Sequence, residues 1–495
     1  MNKLRSISVI TLLCISSISA IAQFRGSNLA EFQLGNIPGE EPHDQSSLYD
    51  QLNLSYRYKS LSVSTRVEYY SLSSDTESNY TKLSQYKASY NSKWVTLDVG
   101  HIYSSLGRGL LMRNYEIPSS IYEDRSYRVR HGFYKDMHGF QARFKSKYVN
   151  VKLMRGNTLT VDLPPTLDED DRRTDLVEGA EIDGNYKGQT LGLIMMRHHN
   201  GGNKSNYASV YYNGVVSNFT FYGELAQRID SAQNAFNFAP SESFGGYVGI
   251  SFDKNSFGLS LEYKTYNNFA IGNGVNDPPT LVKEHSSRLL NRSTHVPLLL
   301  NEKGIQAELY YMFGNGDMLS FNHALSINDL TTESYIFREY YVDYSTTLSP
   351  KISAKVFADY SIDPLVNDPA RYTGGLNSDI EHGKLVSTID FEGQYIIREI
   401  LSKEHITNWF LSYTLSHSGK FSVSALIELS NDPFVLVDNN SREIYPSVSA
   451  TYWIGRKNKL TAFYGKRRGG PACTSGVCYD VLDFEGFELR FNTRF

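Results

Sequence analysis

The chain ends with the stretch GFELRFNTRF, residues 486–495, in which apolar and polar side chains alternate almost without a break. Because successive side chains of a β-strand point to opposite faces, this stretch predicts a strand with one apolar face and one polar face. About ten tilted residues suffice for a strand to cross the hydrocarbon core of a membrane. The stretch therefore predicts a membrane-spanning strand, although the last strand of a soluble sheet would give the same pattern.

The same alternation recurs through most of the chain, in segments of about ten residues that are separated by turn-forming residues. Residues 52–58, 61–69 and 421–429 are examples. Counting such segments predicts about 22 strands, give or take two, and the count is least settled between Lys384 and Ser416. The sequence thus predicts an all-β fold, a single large antiparallel transmembrane β-barrel.

The connections between these segments alternate in length. Short turns such as residues 91–93 and 187–189 link neighbouring strands. Long polar connections are predicted at residues 104–125, 157–176, 267–302, 361–383 and 467–485. Short turns at one end and long loops at the other are typical of outer-membrane barrels, so we expect short periplasmic turns and long extracellular loops.

The composition supports this class of protein and excludes others. The 495 residues include 36 Tyr and 26 Phe, and amphipathic Tyr rings favour the two membrane interfaces. The formal net charge of −4 gives no support to nucleic-acid binding, which needs a basic face. Beyond residue 22 no uninterrupted apolar run reaches about 18 residues, which excludes transmembrane helices.

Residues 1–22 are typical of a secretory signal peptide. Lys3 and Arg5 precede an apolar core, and the small residues Ala20 and Ala22 precede the expected cleavage site between Ala22 and Gln23. A buried N-terminal helix is the alternative. We predict a signal peptide at 1–22 and a barrel domain at 23–495, located in the outer membrane of a Gram-negative cell.

Two cysteines, Cys473 and Cys478, remain after this cleavage. In an exported chain, two cysteines this close together favour one local disulfide over free thiols or a metal site.

The C-terminal region also carries a more specific resemblance. The run YGKRRGG at 464–470, the segment GVC at 476–478 and a terminal strand ending at Phe495 resemble an uncharacterised family of Bacteroidota outer-membrane barrel proteins. The segment LGRGLLMR at 106–113 is similar to that family's first long loop, whereas YDVL at 479–482 departs from the expected basic residue and proline. The resemblance implies the compartment and the fold and leaves the function open.

Phe495 is similar to the terminal signal that barrel assembly machinery recognises. The expected partners are therefore outer-membrane lipid and that machinery, with a surface or secretion partner possible and no nucleic acid.

Charged residues on the polar faces are predicted to line the barrel interior. Four of them are Arg57, Arg66, Glu68 and Glu262. A barrel of this size is too wide for side chains alone to fill, and the first strand begins too early for an N-terminal plug domain. Residues 104–125 and 267–302 are the predicted plugs.

The sequence predicts no catalytic, cofactor or metal site. His198 and His199 are read as the start of a loop without further ligands nearby. The acidic run at 168–171 lacks the spacing and glycine of a calcium loop. No nucleophile elbow or glycine-rich phosphate loop is present, so we expect no enzyme.

Two functions therefore remain open. The first is a channel or transporter for a small polar or amphiphilic solute. The alternative is a non-transport surface scaffold, or a membrane partner of a secretion, gliding or adhesion machine.

Overall fold

The computed structural model describes residues 23–229, 236, 238, 243–272, 274–278, 281–295, 300–330, 333–400, 402–436, 441–474 and 477–495, without the side chains of residues 473 and 474. The predicted signal peptide, including Ala22, lies outside the described residues. Its cleavage before Gln23 stays a prediction.

Thirty strands lie within the described residues. They are β1 Phe24–Asn36, β2 Ser46–Tyr58, β3 Leu61–Leu72, β4 Tyr80–Asn91, β5 Val95–Ile102, β6 Ser105–Leu106, β7 Met112–Arg113, β8 Tyr115–Glu123, β9 Arg130–Lys135, β10 Met137–Lys145, β11 Val149–Thr158, β12 Asp175–Tyr186, β13 Gln189–Asn200, β14 Asn203–Val216, β15 Phe219–Arg228, β16 Phe244–Lys254, β17 Phe257–Asn267, β18 Asn301–Met312, β19 Met318–Leu330, β20 Glu333–Ser349, β21 Ile352–Asp363, β22 Asp368–His382, β23 Leu385–Glu399, β24 Lys403–His417, β25 Phe421–Ser430, β26 Glu443–Ile454, β27 Asn458–Arg467, β28 Gly470–Thr474, β29 Val477–Val481 and β30 Phe484–Arg494.

Helical structure is limited to short segments. The described helices are Glu169–Arg172 and Arg288–Asn291, with single 3-10 turns at Pro364–Val366 and Pro433–Val435. None of the helices in the described part of the chain has the length and hydropathy to cross a membrane.

Twenty-four strands form one closed antiparallel sheet: β1–β5, β10–β27 and β30. The terminal strand β30 pairs with β27 on one side and with β1 on the other, so that Phe491 lies opposite both Leu460 and Ala30. Closure leaves no unpaired edge, which is what a sheet in lipid requires. The predicted large antiparallel barrel is confirmed, and 24 strands lie within the predicted range.

The outer face of the barrel carries exposed apolar side chains, and the inner face of the same strands carries buried polar ones. On β3, for example, Leu61 and Val63 are exposed, whereas Arg66 and Glu68 are buried. An apolar exterior with a polar interior is the arrangement of outer-membrane barrels.

Connections at the end that holds both termini contain two to five residues, as in the turn 187–188 between β12 and β13. The opposite end holds the long connections, of which 103–136 and 268–300 are the longest. The predicted asymmetry is therefore present.

One predicted long loop is wrong. Residues 361–383 are mostly strand β22, and the actual connection from β21 spans only 364–367. The inward face of β22 is polar, and Gly374 and Gly375 interrupt its pattern, so the segment resembles a loop in sequence. A Cβ atom at Gly375 would lie 2.4 Å from the Phe357 ring, which explains the glycine there. The unsettled region 384–416 contains β23 and β24.

Candidate functional site

The first feature of the lumen is an apolar plug, which we define as residues 104–114, 269–272 and 274–278. Leu110, Leu111 and Met112 are fully buried in it. They belong to one hydrophobic cluster with Val275 and with inward side chains of β10–β17, such as Met154. The segment that resembled a family loop thus forms the core of the plug.

Arg108 fixes the apolar plug against the barrel wall. Its guanidinium lies 3.9 Å from the centre of the Tyr222 ring, and its backbone N–H donates to Glu224 Oε2 over 3.1 Å. The neighbouring Gly107 has φ +54°, and a Cβ there would lie 2.5 Å from the Glu224 carboxylate. Only glycine permits this close approach.

Asn276 joins the two segments of the apolar plug. Its side-chain amide donates to the carbonyl oxygens of Leu110 (3.3 Å) and Phe269 (2.8 Å). The backbone N–H of Arg113 also donates to the carbonyl of Val275 over 3.0 Å. Both loops that the sequence suggested as plugs therefore meet inside the barrel.

The second feature is an ionic plug, residues 281–295, which lies against the C-terminal half of the barrel. Five inward carboxylates on five strands hold it: Glu308 of β18, Glu339 of β20, Asp363 of β21, Glu392 of β23 and Glu428 of β25. Their partners on the plug are Lys283, His285, His295, the backbone of residues 288–289 and Arg292 respectively.

The short helix Arg288–Asn291 is central to the ionic plug. The backbone N–H groups of Arg288 and Leu289 donate to the Glu392 carboxylate over 2.7 and 2.8 Å, so Glu392 satisfies amides at the start of the helix. Arg292 donates through both terminal nitrogens to Glu428, a bidentate geometry that adds direction as well as strength. Burial, together with the adjacent Arg292 charge, lowers the pKa of Arg288 to about 10.

A cavity of about 660 Å³ lies beside the ionic plug, towards the end with the long connections. Its charged lining contains five arginines and five aspartates: Arg125, Arg292, Arg371, Arg398, Arg468, Asp363, Asp368, Asp432, Asp480 and Asp483. Arg398 donates to Asp368 over 2.9 Å and to Asp432 over 3.0 Å. Arg371 is buried, and its Nε and Nη2 have no hydrogen-bond partner among the described residues. The volume is within the range of small-molecule sites.

The charged residues predicted to line the lumen occupy different environments. Arg57 is exposed near the short-turn end, whereas Arg66 is buried, with Nη2 lying 2.5 Å from Glu116 Oε1. Glu68 is buried and accepts from Tyr49 over 2.8 Å. Glu262 is half-buried and accepts from the Tyr247 hydroxyl over 2.8 Å.

Arg66 and Glu68 support a hairpin inside the barrel, formed by β8 and β9. Glu116 lies on β8, and the backbone N–H of Gly132 on β9 donates to Glu68 over 3.1 Å.

Next to this hairpin, Asp136 is completely buried. Although burial acts in the opposite direction, Arg173 at 2.6 Å and His101 at 3.0 Å lower the pKa of Asp136 to about 2. Sequence reasoning missed this group because its partners lie on distant segments.

The expectation for His198 and His199 is wrong in its local structure. Both residues belong to strand β13 rather than to a loop, and both have carboxylate neighbours. His198 contacts Asp175, and His199 Nε2 lies 3.3 Å from Glu178. Antiparallel pairing of β12 with β13 creates these contacts.

The predicted acidic run forms its own ion pairs. Glu169 binds Arg172 over 2.9 Å and Arg173 over 2.8 Å, and Arg172 is buried.

The remaining predicted residues, the two cysteines and Phe495, lie near the C-terminus. Strands β28 and β29 pair so that Cys473 lies opposite Cys478. The side chain of Cys473 lies outside the described residues, so the disulfide stays a prediction. Phe495 is half-exposed at the closing seam, where it exchanges two backbone hydrogen bonds with Gly26. Its role in assembly also stays a prediction.

These features define an integral outer-membrane β-barrel whose long connections fold into the lumen. Within that class, the chain belongs to DUF6029, a family of unknown function, whose model matches residues 22–495. No curated protein matches the sequence.

Solved structures of outer-membrane barrels have a similar fold. The cryo-EM structure of the E. coli P pilus tip assembly intermediate PapC-PapD-PapK-PapG has a TM-score of 0.53 at 8% identity, covering 95% of this chain and 60% of that one. The P pilus usher (PapC) translocation pore gives 0.48 at 10% identity, with 95% and 99% covered. The siderophore receptor PirA from Pseudomonas aeruginosa gives 0.42 at 9% identity, with 96% and 80% covered. At these identities the likeness concerns the fold alone.

Proposed function

We propose that the protein is a gated outer-membrane channel for a small polar solute that carries negative charge, with the ionic plug as its movable part. The observation that carries the proposal is the attachment of residues 281–295 to carboxylates of five different barrel strands. Barrels of this size enclose a lumen wide enough to need a plug. A plug held mainly by ion pairs can exchange those pairs for contacts with a solute or with water.

One arginine in the first cavity and the basic lining of a second cavity support an anionic solute. The cavity of about 660 Å³ beside the ionic plug presents unpaired N–H groups of Arg371. A second cavity of about 480 Å³ at the short-turn end is lined by Lys457, Lys459 and Arg494, with Trp453 beside them. The second cavity is lined mainly by positive charge, and such a cleft concentrates anions.

The wall between these cavities is hydrophilic on the C-terminal side. Inward hydroxyl groups of neighbouring strands face one another in pairs and are half-exposed. Thr414 lies 2.8 Å from Ser424, and Thr451 lies 3.2 Å from Thr461. Hydroxyl groups bind water readily. Release of the ionic plug would therefore open a hydrated path along this wall from the cavity of about 660 Å³.

Conductance in planar bilayers tests this proposal. We expect little conductance from the intact protein, and a several-fold increase when residues 281–295 are replaced by a short flexible linker. Glu428→Gln should act in the same direction, because it removes the bidentate partner of Arg292. A reversal potential measured across a salt gradient should show anion preference.

Glu178→Gln is the matched control. It removes the carboxylate of an ion pair with Arg155, 3.0 Å away and far from the ionic plug, so conductance should not change. If neither the intact protein nor the linker variant conducts, the channel proposal fails, and the scaffold or machine-partner function replaces it.

A further inference from the structure

A buried cluster of metal-binding side chains lies where the ionic plug meets the barrel wall. It consists of His285 from the plug, Glu339 from β20 and Asp359 from β21. One ligand atom from each residue lies within 4.8 Å of the others. The three residues are at least nine-tenths buried. They are far apart in sequence, so no spacing motif could reveal them.

The hydrogen bonds within the cluster leave ligand atoms without partners. His285 Nε2 lies 3.1 Å from Glu339 Oε1, which accounts for one pair of atoms. Both carboxylate oxygens of Asp359, together with Glu339 Oε2 and His285 Nδ1, have no hydrogen-bond partner among the described residues. Buried polar atoms in native proteins are nearly always satisfied, so this group of unsatisfied atoms indicates a missing ligand.

The charges in the cluster also indicate a missing cation. Two carboxylates at close range in a buried site repel each other unless a cation or a shared proton compensates them. Arg371 on the neighbouring strand β22 acts electrostatically on Asp359, but it also pairs with Asp368 at 4.0 Å, so its single charge does not balance both carboxylates of the cluster. A divalent cation would balance the two carboxylates and use the unsatisfied atoms as ligands.

We propose that His285, Glu339 and Asp359 bind one first-row divalent transition-metal ion, with Zn²⁺ favoured, and that this ion fastens the ionic plug to the wall. One imidazole and two carboxylates form a ligand set of the kind that binds Zn²⁺, whereas Ca²⁺ and Mg²⁺ prefer oxygen alone. Because His285 lies on the plug and the carboxylates lie on barrel strands, binding couples metal occupancy to plug position. The inference rests on the cluster and does not require that the protein conducts.

The test uses full-length protein, purified in detergent, stripped with EDTA and then titrated with Zn²⁺. Calorimetry and elemental analysis should give one Zn²⁺ per barrel, with Mn²⁺ binding more weakly. The variants His285→Ala, Glu339→Gln and Asp359→Asn should each weaken Zn²⁺ binding by about 100-fold or more. Zn²⁺ should also slow proteolysis between residues 281 and 295 in the wild type and not in these variants.

His295→Gln is the matched control. His295 also pairs a plug histidine with a wall carboxylate, its Nδ1 lying 3.2 Å from Asp363 Oδ2, but no third ligand joins that pair among the described residues. Its variant should therefore bind Zn²⁺ as the wild type does. Unboiled gel mobility establishes whether each variant keeps its barrel.

Wild-type protein with an intact barrel that binds no Zn²⁺ would overturn the proposal, and the two carboxylates would then share a proton. Equal loss in His295→Gln and in the cluster variants would also overturn it, because the effect would then come from plug displacement. A non-conducting protein that still binds Zn²⁺ would refute the channel and leave the metal site intact.

Discussion

The two plugs of the barrel are held by different forces. The apolar plug buries Leu110, Leu111 and Met112 against inward side chains of β10–β17. The ionic plug is held mainly by salt bridges and hydrogen bonds to inward carboxylates of β18–β25. It also buries apolar side chains: Leu281 at its start joins the cluster of the apolar plug, and Val282, Leu289 and Leu290 are buried. One connection, residues 268–300, contributes to both. Under the proposed function, the apolar plug is the fixed part of the closure and the ionic plug is the part that can be released.

The physical reason lies in how each force responds to its surroundings. Apolar burial is nondirectional, is insensitive to moderate salt and scales with the area removed from water. Ion pairs depend on geometry, and those that water reaches, such as Lys283 with Glu308, are screened by salt and can exchange partners. We therefore expect the apolar plug to anchor the barrel interior while the ionic plug moves. The first prediction tests whether the apolar plug is such an anchor.

The largest effect is expected for Leu111→Asp in the apolar plug. Leu111 is completely buried, and an unpaired carboxylate there should cost about 4 kcal/mol or more of barrel stability. The measurement is the temperature at which unboiled protein changes its mobility in SDS gels. Leu348→Asp is the control, because Leu348 is 68% exposed beside a short turn. Equal effects of the two substitutions would show that residues 104–114 do not anchor the lumen.

An intermediate effect is expected from salt, and it should separate the two plugs directly. Reporter cysteines at Ser105 and Thr294, both half-buried, are introduced after Cys473 and Cys478 are replaced by serine. Raising KCl from about 0.1 M to about 1 M shortens the screening length from about 10 Å to about 3 Å. Maleimide labelling at residue 294 should then accelerate about threefold, because screening loosens the ion pairs.

Labelling at residue 105 should stay unchanged, since the apolar plug around it gains nothing from screening. Equal acceleration at both positions, or none at residue 294, would remove the distinction between the plugs.

The sequence predicted the barrel because one rule, alternation along a strand, acts locally and repeats in most strands. It failed at β22, where a polar inward face and Gly374 and Gly375 conceal the alternation. The failure at β22 and the failure to predict the plug contacts have the same cause. An inward strand face is selected to suit whatever fills the lumen, and no rule of periodicity describes that filling.

The interior was predictable only in outline. The two plug loops were predicted from their length, but the residues that hold them were not. Glu428 and Arg292 lie 136 residues apart, and His285 and Glu339 lie 54 apart. Contacts of this range depend on closure and register of the whole sheet. A search of one sequence for spaced motifs therefore finds none of them.

The smallest effect is expected at the hairpin of β28 and β29, which lies between the inner hairpin of β8 and β9 and the C-terminal strands of the barrel. Tyr479 packs on Phe133 of the inner hairpin, with ring centres 4.7 Å apart, and the preceding Arg468 donates to Asn408 over 3.0 Å. A bridge between Cys473 and Cys478 closes a small ring, so loop entropy predicts only about 2 kcal/mol of local stabilisation. The double Cys→Ser variant should insert normally and keep the thermal stability that the apolar plug provides. The hairpin of the variant should exchange amide hydrogens faster, because the disulfide ring no longer restricts its open state.

Maleimide that modifies both cysteines of the wild type without reductant would disprove the bridge. The stability of the hairpin of β28 and β29 would then depend on its packing alone.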